Sequence, residues 1–177
     1  MLGSYAMLFL LAPLLPKIFE RLDHPVQTAT GLSAGLDVAR VLTFAALGVF
    51  TGWRGKTLPL AAAIVALPLG LFITLFAPTT AGVLLGEAVF GIASGLIYYA
   101  ALYHAMVLLN ASIQAGSAHE SLIGLGFALG PAAGLAAAQA GSATGNDAVG
   151  LILILVPLAL ATVVLALRPL VTSPPTA

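Results

Sequence analysis

Long hydrophobic runs, separated by short polar or turn-rich segments, divide this chain into six parts. Each run is about as long as a helix that crosses the hydrocarbon core of a bilayer, which takes roughly 20 residues. The runs lack the alternation of polar and apolar residues that marks the strands of a membrane β-barrel. The pattern therefore predicts an all-α polytopic membrane protein with six transmembrane helices, at about 4–19, 28–52, 58–77, 80–109, 120–140 and 148–167.

The segments between the runs carry charged residues, turn residues or helix caps. Pro13 and Pro16 should bend the end of the first span, because proline cannot donate the backbone hydrogen bond of a helix interior. The predicted domain covers 1–170, and the proline-rich tail at 171–177 is predicted to be disordered. The predicted connections are 17–25, 52–56, 78–80, 110–120 and 141–147.

The composition identifies lipid as the solvent of these helices. Charged residues make up 7% of the chain and hydrophobic residues 60%, whereas soluble domains hold about a quarter charged residues. From Thr57 to Leu167 the charged side chains are Glu87, Glu120 and Asp147. The chain is thus expected to be integral and multi-pass.

Several classes of site are absent from the pattern. The net charge is zero, so no basic surface points to a nucleic acid partner. There is no cysteine, and no three side chains have the spacing of metal ligands. We expect no cofactor, no metal site and no catalytic residues.

The lysines and arginines of the connections give a weak orientation signal. With Met1 on the cytoplasmic side, the inner connections hold Arg54, Lys56 and Arg168, and the outer ones hold Lys17 and Arg21. Cytoplasmic loops carry an excess of Lys and Arg. The bias favours cytoplasmic N and C termini in a plasma membrane or bacterial inner membrane.

Asp37, Arg40 and Glu87 are the strongest candidates for a cavity or ion-coupling site. Asp37 and Arg40 are three residues apart and share a face of span two. At 1.5 Å per residue along its own helix, Asp37 lies roughly 14 Å from one side of the membrane, and Glu87 lies roughly 10 Å from the same side. Arg40 could therefore pair with either acid. Ionisable groups inside a membrane are expensive and often functional, but a structural ion pair that joins two helices remains an equally open reading.

The other candidate residues have less specific interpretations. Tyr99 and Tyr103 share a face of span four and could line a cavity or lie in the interfacial belt. His119 and Glu120 open the predicted span five, where Glu120 would complement the helix dipole. His119 would cap the helix and lie in the headgroup layer, or bind protons. Gly130-Pro131 predicts a kink and a gating role in the same span. His104 reads as interfacial rather than as a ligand.

Glycines recur at a spacing of four residues along several spans, which lets another helix backbone approach closely. Helix packing is the simplest reading of this pattern, and glycine-rich, bent helices also suit spans that move against each other. The pairs and the triplet are Gly31–Gly35, Gly82–Gly86, Gly91–Gly95 and Gly126–Gly130–Gly134.

Taken together, these features resemble the C-terminal six-helix half of a major facilitator superfamily transporter. The segment HESLIGLGFALGPAAG at 119–134 is similar to the G-x-x-x-G-P pattern of that family's eleventh helix. The turn GWRGK at 52–56 resembles a degenerate copy of its short basic loop, and lacks the usual Asp. Span four, glycine-rich and with its tyrosine pair, is the third similar feature.

The resemblance implies alternating-access transport of a small solute by two six-helix halves. Spans three and six would be outer supports, which agrees with their lack of charge. Spans two and five would face the other half, either a separate N-terminal half or a second copy of this chain. Solute, coupling ion and direction are not readable from the sequence.

Two further readings compete with transport. A non-transporting membrane subunit that anchors a partner fits the same composition. A rhomboid-like intramembrane serine protease also has six spans, but Ser94 lacks the expected glycine two residues before it, and the last span holds no histidine. His104 lies about 15 Å from Ser94 along one helix, so we expect no enzymatic activity.

Overall fold

The computed structural model describes the backbone of residues 1–107 and 112–172, and side chains as far as residue 167. Within these ranges the chain forms eight α-helices, one 3₁₀ turn and no strand. They group into six apolar segments, each long enough to cross a membrane, which confirms the predicted all-α architecture. The helices are α1 Leu2–Leu11, α2 Leu15–Arg21, α3 Val26–Leu32, α4 Gly35–Val49, α5 Thr57–Phe76, α6 Thr80–Val107, α7 Ile113–Thr144 and α8 Asp147–Thr172.

Spans one and two are each interrupted within the apolar run. A 3₁₀ turn, Ala12–Leu14, separates α1 from α2, and Pro13 inside it cannot donate a helical hydrogen bond. A turn at Ser33–Ala34 separates α3 from α4, and here the Ala34 N–H donates to the Gly31 carbonyl. The sequence did not predict this second break, since no proline marks it.

Span five is longer than predicted at both ends. Helix α7 begins at Ile113, where Ser112 accepts a hydrogen bond from the Ala115 N–H as an N-cap. Residues 113–120, predicted as loop, are therefore helical. The helix continues to Thr144 and ends at Gly145, whose left-handed conformation (φ 68°) suits glycine. Polar residues such as Gln114 and Ser142 misled the prediction, because an exposed helix turn accepts them as readily as a loop does.

The last span is also longer than predicted. Helix α8 continues to Thr172, so 168–170 extend the span beyond its predicted end, and 171–172 are helical rather than part of the predicted disordered tail. The rest of the predicted tail, 173–177, and the predicted junction of span four with its loop at 108–111 lie outside the described residues.

Glycines set the contacts between neighbouring spans. A Cβ on Gly91 would meet the Leu36 carbonyl oxygen at 2.5 Å, and one on Gly95 would meet Thr43 Cβ at 3.1 Å, so α4 and α6 pack with their backbones close together. In both contacts the two residue numbers differ by nearly the same amount, as expected for two helices that run parallel to each other. Gly126 and Gly130 bring α7 against α1 in the same way. The packing role predicted for these spacings is confirmed at these four glycines.

The spans differ in how much of their surface the chain itself covers. In the apolar 18-residue stretches of spans one and four, half of the residues are buried, against 11% in span two and 17% in spans five and six. Span three differs from the expectation of an outer support like span six, since 44% of its apolar stretch is buried. Its Gly70 packs directly on the backbone of Phe90 in α6.

Candidate functional site

Asp37 and Arg40 lie on α4 just after the break in span two. Asp37 is in the first turn of the helix, where the positive end of the helix dipole favours a negative charge. The Arg40 guanidinium (Nη2) lies 3.6 Å from Asp37 Oδ1. The Arg40 side chain is 28% exposed and that of Asp37 is 68% exposed. Of the two pairings that the sequence allowed for Arg40, the structure forms the one with Asp37.

Glu87 is not the acid that pairs with Arg40, and it lies inside the bundle. Its side chain is fully buried, and its Oε2 atom contacts Gly35, the first residue of α4, where a Cβ would leave it no room. Neither carboxyl oxygen has a hydrogen-bond partner among the described residues. A buried carboxyl group without a partner is costly when ionised, so a role beyond packing is the natural hypothesis for Glu87.

A cavity of about 270 Å³ opens between α1 and α4 beside the ion pair. Tyr5 and Phe9 form its wall on α1, and Asp37 and Arg40 form its wall on α4. Ser33 also lines it, at the break in span two, and donates its hydroxyl to the Ala29 carbonyl. The charged groups of span two therefore face a space rather than a packed interior.

Aromatic rings connect this cavity to the two other central helices. Tyr5 lies 6.1 Å from Tyr98 of α6, measured between ring centroids, and Tyr98 lies 5.3 Å from the His119 ring of α7. Phe44 of α4 packs on Tyr98 at 5.5 Å. We call Tyr5, Phe44, Tyr98 and His119 the aromatic cluster. It joins α1, α4, α6 and α7.

The sequence reading missed Tyr5 and Tyr98 and misjudged His119. Tyr98 is adjacent in sequence to Tyr99 and both contact Phe44, but only the packing of the helices brings Tyr98 near Tyr5 and His119. His119 is 7% exposed, and its Nε2 has no hydrogen-bond partner in the described part of the chain. Its side chain is therefore buried within the protein, and its position more than one turn into α7 rules out the predicted capping role. Glu120 is exposed and lies two turns into α7, so it does not cap the helix start.

Tyr99 and Tyr103 support the connection between spans two and three. The Trp53 ring lies 5.7 Å from Tyr99 and 5.3 Å from Tyr103, and the Arg54 guanidinium lies 5.2 Å above the Tyr103 ring. The Trp53 indole N–H donates to the Leu47 carbonyl. These contacts make the two tyrosines anchors for the 52–56 turn rather than walls of the cavity.

Gly130 and Pro131 line a different and larger cavity, of about 620 Å³, with Lys17, Arg21 and Asp147 at its edge. Helix α7 runs through Pro131 without a break. Gly130 packs against the Phe9 side chain and the Leu10 backbone N–H of α1. The structure thus places both residues at a helix contact and a cavity wall, in the middle of α7.

The described residues contain no group of three His, Cys, Asp or Glu side chains able to hold a metal ion. Comparisons of the chain with protein-family models, with curated proteins and with solved structures gave no match.

Proposed function

We propose that this chain is one six-helix half of a secondary transporter, which moves a small solute across the bilayer together with a second six-helix half. The observation that carries the proposal is the position of Asp37. It lies within a membrane span, 68% of its side chain is exposed, and charged groups avoid lipid because burying them there costs at least several kcal/mol (roughly 2.5–3.5 on insertion scales). The exposed face of α4 therefore requires water or another protein chain beside it.

The surfaces that this chain leaves uncovered support a second six-helix half as its partner. Spans two, five and six have the smallest buried fractions in their apolar stretches. Spans two and five also carry Asp37, Arg40 and Glu120, whereas span six has no charge between Asp147 and Arg168. Spans two and five thus suit a seam with water and polar groups, and span six suits lipid. A separate N-terminal half or a second copy of this chain could complete the seam.

Glu87 would couple an ion gradient to the movement of the halves. It is buried against Gly35 at the start of α4, beside the break in span two. A change in the charge of this carboxyl group would alter the packing of α4 on α6. In this proposal the termini are cytoplasmic, in a plasma or bacterial inner membrane.

The protease alternative gains no support from the hydrogen bonds of its two key residues. Ser94 is 6% exposed and donates its hydroxyl to the Gly91 carbonyl. His104 forms its hydrogen bond with the Ala100 carbonyl. Neither side chain is aimed at the other.

Reconstitution tests transport directly. The purified chain is placed in liposomes, alone and with a candidate N-terminal half, and uptake of a solute panel is followed under an imposed proton or sodium gradient. Gradient-driven uptake in either preparation supports the proposal. Its absence in both, with protein folded and inserted, would favour a subunit that anchors a partner.

A further inference from the structure

The cavity between α1 and α4 has the size and shape of a site for a small molecule. Its volume of about 270 Å³ lies just below the range of roughly 300–1,000 Å³ typical of ligand pockets. Leu8, Leu15 and Leu36 complete its apolar surface. The rings of Tyr5 and Phe9 on this wall lie 6.0 Å apart, so a flat apolar group would meet two ring surfaces.

The two charges at the other side of the cavity do not satisfy each other. Their separation of 3.6 Å exceeds the roughly 2.7–2.9 Å of a charge-assisted hydrogen bond. Arg40 Nε is buried without a hydrogen-bond partner among the described residues, and Asp37 is mostly exposed. An ion pair that served only to neutralise charge in a membrane would be expected to close to hydrogen-bonding distance.

The charges of the wall also sum to zero, since it holds one acid and one base. A solute with a single charge would satisfy one of them and be repelled by the other. A solute that carries both charges a short distance apart would satisfy both. A carboxylate matches the planar guanidinium of Arg40, and an ammonium group matches the Asp37 carboxylate.

We propose that this cavity binds a zwitterionic α-amino acid with an apolar or aromatic side chain. The carboxylate lies on Arg40, the ammonium group lies on Asp37, and the side chain lies against the Tyr5 and Phe9 rings on the opposite wall. This inference deepens the proposed function and rests on it for the movement of the bound solute. Binding itself is a property of the cavity in this chain.

The test compares three ligands of nearly equal size on the purified full chain in nanodiscs. L-phenylalanine carries both charges, N-acetyl-L-phenylalanine lacks the cation, and L-phenylalaninamide lacks the anion. We expect phenylalanine to bind at millimolar concentration or below, and each of the other two to bind at least about tenfold more weakly. Binding is measured by calorimetry or by ligand-dependent thermal stabilisation.

Two variants should each remove one of these preferences. Arg40→Gln should erase the advantage of phenylalanine over the amide, and Asp37→Asn should erase its advantage over the acetylated form. Arg54→Gln, outside the cavity, should leave all three affinities unchanged. If the variants do not fold, the ligand comparison on the unaltered chain still decides the question.

The inference is overturned if phenylalanine does not bind, or if the three ligands bind equally well. These results leave the proposed transport of another solute standing. Conversely, zwitterion binding without gradient-driven uptake of phenylalanine in the reconstituted pair would preserve the site and count against the transport proposal.

Discussion

Individual charged residues in this chain have different environments, and the difference decides what each can do. Arg40 is paired loosely within a membrane span, the exposed Arg54 lies on the partly buried ring of Tyr103, and Glu87 is buried without a hydrogen-bond partner among the described residues. The sequence identified Asp37, Arg40 and Glu87 as special because charges are rare in apolar spans. It could not tell which acid would pair with Arg40, since that depends on side-chain direction at a helix break without a sequence signal.

The two arginines provide a matched comparison. Arg40→Leu leaves Asp37 without its cation inside a membrane span, which should cost roughly several kcal/mol. Arg54→Leu loses an exposed cation–π contact, worth about 0.5–1 kcal/mol. We expect a clearly lower folded yield and thermal midpoint for Arg40→Leu. Equal values for the two variants would show that Arg40 has no special role inside the membrane.

Glu87→Gln separates packing from coupling. The amide has nearly the same shape as the carboxyl group, so the folded yield should stay close to that of the unaltered chain. Uptake driven by an ion gradient should fall about tenfold or more if Glu87 carries the coupled charge. Glu20→Gln, at an exposed position of α2, is the control and should leave both quantities unchanged. Undiminished uptake in Glu87→Gln would make Glu87 a packing residue only.

Helices and their contacts were easier to predict than their ends. Apolar runs predicted the six spans because burial in lipid requires them, and glycine spacing predicted close helix contacts without indicating which helices would meet. The extension of α7 to Ile113 and the break at Ser33–Ala34 were not predicted. Both depend on local hydrogen bonds, such as the cap at Ser112, that polar composition alone does not distinguish from a loop.

Gly91 tests the α4–α6 contact. In Gly91→Ala the new methyl group would lie 2.5 Å from the Leu36 carbonyl oxygen and 2.8 Å from Ala39 Cβ. Such overpacking typically costs about 1–3 kcal/mol, so the thermal midpoint in detergent should fall by several degrees. Gly124→Ala, on a helix face with nothing within 4 Å, should be neutral or slightly stabilising. Similar midpoints for the two variants would rule out the close contact.

A disulfide tests the register of α4 against α6. The chain has no cysteine, so in the double variant Thr43→Cys/Gly95→Cys the intended bond is the only disulfide possible within one chain, and a bond between two chains would appear at the mass of a dimer. The Cβ atoms would lie about 3.1 Å apart, slightly below the usual 3.5–4.5 Å. We expect oxidation to give a faster band on electrophoresis, and Thr43→Cys/Gly124→Cys to give none. A band in both, or in neither, would contradict the register.

At the scale of the whole molecule, the described parts of spans two, five and six leave large apolar surfaces uncovered, and Asp37 and Glu120 are exposed on spans two and five. The aromatic cluster, the cavity between α1 and α4 and the pair Asp37–Arg40 belong to the four helices that meet in the centre. Sequence patterns cannot assemble such a group of residues, because its members come from helices far apart in the chain. Under the proposed function, the surface of α4 beside Asp37 is where a second six-helix half and water would meet this chain.

Thiol accessibility in native membranes tests this arrangement most directly. Val41→Cys lies one turn from Asp37 on α4 and replaces a side chain that is 60% exposed, and Val164→Cys on α8 replaces one that is 56% exposed. We predict that a water-soluble maleimide labels Val41→Cys at least about tenfold faster, because thiols react as thiolates, which form in water and not in hydrocarbon. Equal, slow labelling at both positions would mean that water does not reach α4 beside Asp37, which would contradict a water-lined seam at this surface.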